Sequence, residues 1–133
     1  MKDVLFVIGS ESDREQVQPG IDLMAEKGLT GDLKVLSAHR DLPALLAFLG
    51  AEARGYRVII AAAGLSAALP GVIASQVDNP VIGVPLVSGP LLGMDALLSI
   101  LQLPKGVPVA TMGIGKQGAL NAVHLAARII AIK

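Results

Sequence analysis

The chain has no cysteine. That excludes disulfides, a thiolate nucleophile and cysteine-ligated metal, and it fits the reducing cytoplasm, where the protein is expected to work. Tryptophan is missing too, and the aromatics are limited to Phe6, Phe48 and Tyr56. So few rings do not make a base-stacking platform. Charge of either sign is not in excess, with 11 basic and 11 acidic residues. No electrostatic footprint for nucleic acid follows, and nucleic acid is not an expected partner. No uninterrupted apolar run approaches the roughly 18 residues of a membrane span. The short apolar run after Met1-Lys2-Asp3 is too brief for a signal peptide. No group of His, Asp and Glu has metal-ligand spacing, so no metal is expected.

What is present is apolar. Hydrophobic residues make up 53% of 133, which implies extensive burial, part of it between subunits. The length predicts one domain, residues 1–133. Strand-like and helix-like segments alternate. Strands are predicted at 4–8, 33–36, 58–62, 81–84 and 107–111. Helices are predicted at 12–27, 43–54, 70–76, 93–102 and 117–132, with Pro19 inside the first, where it works against a straight helix. Such alternation implies an α/β fold, a flavodoxin-like three-layer α/β/α sandwich on a five-stranded parallel sheet. From Ala119 to Ile132 the only polar residues are Asn121, His124 and Arg128. A helix this apolar is expected to be buried on nearly every side, with a second subunit covering it. His124 reads as structural.

Ligands of such sheets sit beyond the carboxyl ends of the strands, where the polar and glycine-rich segments fall. Gly9-Ser10-Glu11-Ser12-Asp13 turns from strand into helix. Its free N–H groups and the hydroxyls of Ser10 and Ser12 suit a phosphate, and Asp13 suits a sugar hydroxyl. Ser12 or Asp13 equally reads as a helix cap. Ser37-Ala38-His39-Arg40 follows the second strand. His39 can take and return a proton near neutral pH, and Arg40 can clamp an anion through two bonds. Asp41 beside it is expected to weaken that clamp. The small residues Ala63, Gly64, Ser66, Ala67 and Ala68, with Leu69, let a ligand approach the backbone, or let helix pack closely on strand. Ser88-Gly89-Pro90 reads as a lid or a surface loop. A small-molecule enzyme acting on a phosphorylated substrate fits these residues.

Taken in order, these segments resemble the PurE family, the N5-carboxyaminoimidazole ribonucleotide mutases of purine biosynthesis. The resemblance rests on Gly9 to Asp13, Ser37 to Arg40, Gly64 to Gly71, Pro80 to Pro85, Leu98 to Pro104, Gly106 to Thr111 and Asn121-Ala122. It implies reversible movement of a carboxylate from an exocyclic nitrogen to carbon 4 of an imidazole ribonucleotide. No cofactor is used, and CO2 is an intermediate or substrate. His39 would be the general acid and base. Ser10, Ser12 and Arg40 would hold the phosphate and Asp13 the ribose hydroxyls; Gly9, Ser37, Ala63, Gly64, Ser66, Ala67, Ala68 and Leu69 would bind the substrate too, the small residues among them helping to enclose CO2. It also implies a homo-octamer with sites shared between subunits. Two departures stand out. The common mutases place a histidine before Leu-Pro-Gly, where this chain has Ala68. The animal-type carboxylases, which use free CO2, place Arg-Ser-Asn-Gly where this chain has Leu65-Ser66-Ala67-Ala68. A carboxylase or decarboxylase of the same substrate, and a non-catalytic nucleotide-binding homologue, are the alternatives.

Overall fold

The first strand shows why the sheet is central. In the computed structural model, which describes residues 1–132, β1 (Lys2–Ile8) buries side chains on both faces. Leu5 and Val7 face one way, and Val4, Phe6 and Ile8 face the other, as the period of two requires. A strand buried on both faces needs helices on both faces.

The remaining elements supply them. They are α1 (Arg14–Glu26), β2 (Gly31–Val35), α2 (Leu42–Glu52), β3 (Tyr56–Ala63), α3 (Leu69–Gln76), β4 (Val81–Pro85), α4 (Met94–Leu101), β5 (Ala110–Thr111) and α5 (Gly115–Ile130). All strand pairs are parallel, in the order β2-β1-β3-β4-β5. That is the flavodoxin-like order, whose topological switch point lies between β1 and β3. Leu45 and Leu49 of α2, Ile73 of α3 and Ile100 of α4 pack on one face. Val17 and Met24 of α1 and Ala119, Ala122, Val123 and Ala126 of α5 pack on the other. Both edges of the sheet are weak points. β2 is half-exposed along its length, and β5 is only two residues long.

Several expectations need correcting. The predicted fifth strand, residues 107–111, is strand only at Ala110–Thr111, because Pro108 cannot donate to a ladder. The first helix runs through Pro19 without a break, although that residue has no N–H to give. The last helix is amphipathic rather than apolar all round. Its inner stripe is Gly115, Gly118, Ala119, Ala122, Val123 and Ala126, spaced by three and four. Its outer face carries exposed Lys116, Gln117, Asn121, His124 and Arg128. His124 is therefore a surface residue. Among the described residues no helix is long and apolar enough to cross a membrane.

Candidate active site

Four strand ends build one cleft of about 320 Å³. After β1 the chain turns at Gly9, and Ser10 takes an extended conformation that starts a 3-10 turn, Glu11–Asp13. The Ser10 hydroxyl accepts a bond from Ser12 N at 3.4 Å and lies 3.0 Å from the Ser12 hydroxyl. Asp13 N donates to the Ser10 carbonyl at 3.0 Å and closes the turn, while the Ser10 backbone N–H faces the Asp13 carboxylate. The side chain that caps this turn is Ser10 rather than Ser12; Asp13 stands at the N-cap position of α1, as expected of it, but its side chain makes no capping bond there. Burial pushes the Asp13 carboxyl above the ordinary aspartate range, and the Ser10 bond only partly opposes it. Glu11 is held below its ordinary value by a bond from the Arg14 guanidinium.

After β2, Leu36 N reaches Ile8 O and extends the sheet by one bond. The chain then reverses on Ser37. Its hydroxyl accepts from Arg40 N at 3.1 Å, and its carbonyl accepts from Asp41 N at 3.2 Å. This tight turn presents His39 and Arg40, both exposed. Asp41 does not compete for Arg40 as expected. Its carboxylate caps α2, accepting from Ala44 N at 3.2 Å, and the ion pairs of the described residues do not include Arg40.

After β3, Ala63 leads into Gly64, and Leu65 adopts a left-handed conformation with φ 57°. That conformation is strained for a leucine. The strain reverses the chain, so Ala68 N can bond Ser66 O at 2.8 Å and α3 can start at Leu69. After β4, the chain brings Ser88 to the rim, so close to Gly64 that a Cβ there would stand 2.9 Å from Ser88 Cβ.

The lining brings together Gly9, Ser10, Ser12, Asp13, Ser37, His39, Arg40, Ala63, Gly64, Ser66, Ala68 and Leu69. Ala67 is the exception. It is 1% exposed and packs in the core on the α2–α4 face, because the turn at Leu65 sends successive small residues to opposite sides. Three lining residues were not assigned from sequence: Ala38, Leu65 and Ser88. Ala38 and Leu65 lie inside the segments already singled out. Ser88 was signalled by the Ser88-Gly89-Pro90 segment, read as a lid or a surface loop, but was not assigned to the substrate.

Chemically, the cleft holds three ionisable side chains: Asp13, His39 and Arg40. They offer one carboxylate, one imidazole and one fixed cation. Five serine hydroxyls, from Ser10, Ser12, Ser37, Ser66 and Ser88, line it as well. Ala63, Leu65, Ala68 and Leu69 make an apolar wall. The set suits an anion, a diol and a flat ring, with one imidazole to take and return a proton. Among the described residues no group of three or more His, Cys, Asp or Glu side chains converges as a metal site would.

Known proteins share this architecture. Residues 3–133 match the family model described as AIR carboxylase. A protein of Brucella melitensis named N5-carboxyaminoimidazole ribonucleotide mutase is 47% identical over 131 residues, covering 98% of this chain and 81% of its own. The protein of that name in Escherichia coli K12 is 46% identical, over 96% of this chain and 76% of its own. The one in Bacillus subtilis is 48% identical, over 94% and 78%. Among solved structures, Treponema denticola PurE superposes with a TM-score of 0.84 at 28% identity, over 96% of this chain and 79% of its own.

Proposed function

The chain belongs to the AIR carboxylase family, and from that premise we propose that it interconverts N5-carboxyaminoimidazole ribonucleotide and 4-carboxy-5-aminoimidazole ribonucleotide in purine biosynthesis. It does so without a cofactor, in the cytoplasm, with His39 as general acid and base. The observation that carries this reading is the convergence of His39 and Arg40 with the Ser10-Ser12-Asp13 turn around one cleft.

Each part of the substrate has a matching surface. The phosphate suits the hydroxyls of Ser10, Ser12 and Ser37 and the unpaired guanidinium of Arg40. Asp13 is an acceptor for the ribose hydroxyls. It repels phosphate, so it belongs on the sugar side. The imidazole ring then lies against Gly64, Ser66, Ala68 and Leu69. In the forward direction the N–CO2 bond breaks, and CO2 leaves while the electron pair stays on the exocyclic nitrogen, which takes a proton from His39. Ring carbon 4 then attacks CO2, and the proton displaced from that carbon returns to His39. Protons balance, and one imidazole serves both transfers. CO2 must not escape between the steps. A wall of Ala63, Leu65, Ala68 and Leu69 offers it no hydrogen bonds and few waters to follow.

The absence of a second imidazole at Ala68 favours a second reading, carboxylation of aminoimidazole ribonucleotide by free CO2. A non-catalytic nucleotide binder would have no use for His39 displayed in the cleft. We also propose assembly into a homo-octamer. The support is an exposed apolar stripe, Met94, Leu98 and Leu101 on α4, continuous with Leu91 and Leu92 before it.

Absorbance-monitored conversion of 4-carboxy-5-aminoimidazole ribonucleotide tests the activity. Formation of the N-carboxy isomer with no dependence on added bicarbonate is the expected result. Net loss of CO2 to solvent, reversed by bicarbonate, would establish the second reading instead. Binding without either conversion would overturn both.

A further inference from the structure

Gln16 has no role in the chemistry above, yet it joins the two walls of the cleft. It sits on the first turn of α1, one helical step past Ser12 and Asp13. Its side-chain amide makes a paired contact with the backbone of Val87. Gln16 Nε2 donates to Val87 O at 2.9 Å, and Val87 N donates to Gln16 Oε1 at 2.8 Å. The two bonds fix the orientation of the amide, since the reverse orientation would satisfy neither.

Val87 is where the sheet stops holding this segment. Leu86 N makes the last bond to the sheet, to Ala63 O. The next residue has both backbone groups taken by Gln16, as a neighbouring strand would take them. The next residue along is Ser88, at the rim of the cleft. Two close approaches then tie this loop to the one after β3. A Cβ on Gly64 would stand 2.9 Å from Ser88 Cβ, and a Cβ on Gly89 would stand 2.9 Å from Leu65 Cδ2. Position at Val87 is therefore passed on to Ser88, and through the interlocked glycines to Gly64 and Leu65.

We propose that Gln16 is a positioning residue: it clamps Val87 so that Ser88 and the Gly64–Leu65 turn stand at a fixed distance from the Ser10–Asp13 turn, setting the width of the cleft for its ribonucleotide. The substrate in this statement rests on the function proposed above; the clamp itself does not.

A double-mutant cycle tests it. Gln16→Leu keeps the bulk and removes both bonds, and Ser88→Ala removes the hydroxyl that the clamp positions. Gln16→Leu is expected to lower kcat/KM about tenfold, mostly through KM, as the loss of two modest hydrogen bonds predicts. In the Ser88→Ala background the same change should cost clearly less, because one of the groups it positions is gone and only the Gly64–Leu65 turn still depends on the clamp. A folded Gln16→Leu protein with unaltered kcat/KM would overturn the proposal. So would a tenfold cost undiminished in the Ser88→Ala background. If Gln16→Leu does not fold, Gln16→Glu, which keeps the acceptor and loses the donor, carries the same cycle.

Failure of the functional reading looks different. The wild-type protein would then convert no ribonucleotide, and the cycle would be read from calorimetric binding of 4-carboxy-5-aminoimidazole ribonucleotide. Should that not bind, amide hydrogen exchange at Val87 decides. An increase of about tenfold or more in Gln16→Leu supports the clamp, and no increase refutes it.

Discussion

His39 and Arg40 owe their display to a serine turn rather than to each other. The Ser37 hydroxyl holds Arg40 N, and Asp41 is spent on capping α2. Removing the imidazole should therefore leave the anion grip intact. His39→Asn is expected to lower kcat by at least about a hundredfold, the usual worth of a general acid–base group, with ribonucleotide binding within a few-fold by calorimetry. Asp13 illustrates the opposite balance, function held at a cost in stability. Burial raises its pKa in the folded chain, so the native state resists ionising it. That cost is present at neutral pH and disappears as pH falls below the carboxylate range. Asp13→Asn keeps the shape of the side chain and removes the charge. Its melting temperature should exceed that of the wild type by about 2–4 °C at pH 7. The gap should close towards pH 4, and affinity for the ribonucleotide should drop. A melting temperature lower than wild type at pH 7 would refute this account of Asp13. These residues were legible in the sequence because they cluster at strand ends. The destination of the Asp41 carboxylate was not, since capping competes with ion pairing only once the helix axis is set.

At the level of elements, two contacts decide how strands and helices meet. The start of α5 folds back under Gly113, so a Cβ on Gly118 would stand 1.8 Å from Gly113 O. Backbone cannot yield by that much. Gly118→Ala should destabilise the protein by at least about 3 kcal/mol in urea titrations, or prevent folding. The amino-terminal ends of β1, β2 and β3 meet through Asp32. Its carboxylate accepts from the Tyr56 hydroxyl and from Lys2 Nζ. Burial, and then Asp32, pushes the Tyr56 phenol up to about 12. A raised pKa means that the folded state favours the protonated phenol. Its contribution is complete below about pH 10, the unfolded value, and is lost as pH climbs through 12. Wild type should melt above Tyr56→Phe by a constant margin from pH 6 to 9, and the margin should vanish between pH 10 and 12. A margin that persists at pH 12 would exclude this hydrogen bond as its source. Asp32 is shifted downward by the same partners, so its share is lost only in acid below the carboxylate range. Helix and strand types were readable from period and punctuation. Pro19 stays inside α1 because tertiary packing of α1 on α5, with Gly20 set 3.0 Å by its would-be Cβ from Ala119 O, outweighs one missing helix bond.

On the scale of the whole molecule, the apolar excess divides between a double-sided core and a surface. The core takes both faces of the sheet. The surface keeps Leu91, Leu92, Met94, Leu98 and Leu101, with Leu92 at 72% exposed. The sequence points to the last helix as a subunit contact, and the exposed apolar stripe on α4 and the loop before it is a second surface of that kind. Each such leucine gains about 1.5–3 kcal/mol when covered. Leu92→Glu with Leu98→Glu should therefore break the homo-octamer proposed above into smaller species in sedimentation velocity, with the fold retained by circular dichroism. An unchanged sedimentation coefficient would place the subunit contact elsewhere.

By itself the sequence determined the alternation of strands and helices, the parallel sheet and the segments that meet at its carboxyl edge. These follow from local periodicity, glycine and proline punctuation and motif order, all of which act over a few residues. Only the tertiary structure decided that Ala67 turns into the core, that α5 is one-sided and that Ser88 reaches the cleft. It alone joined Gln16 to Val87. Those outcomes depend on contacts between residues far apart in the chain, 71 positions in the case of Gln16 and Val87, and no local pattern encodes which side of a turn such a partner will occupy.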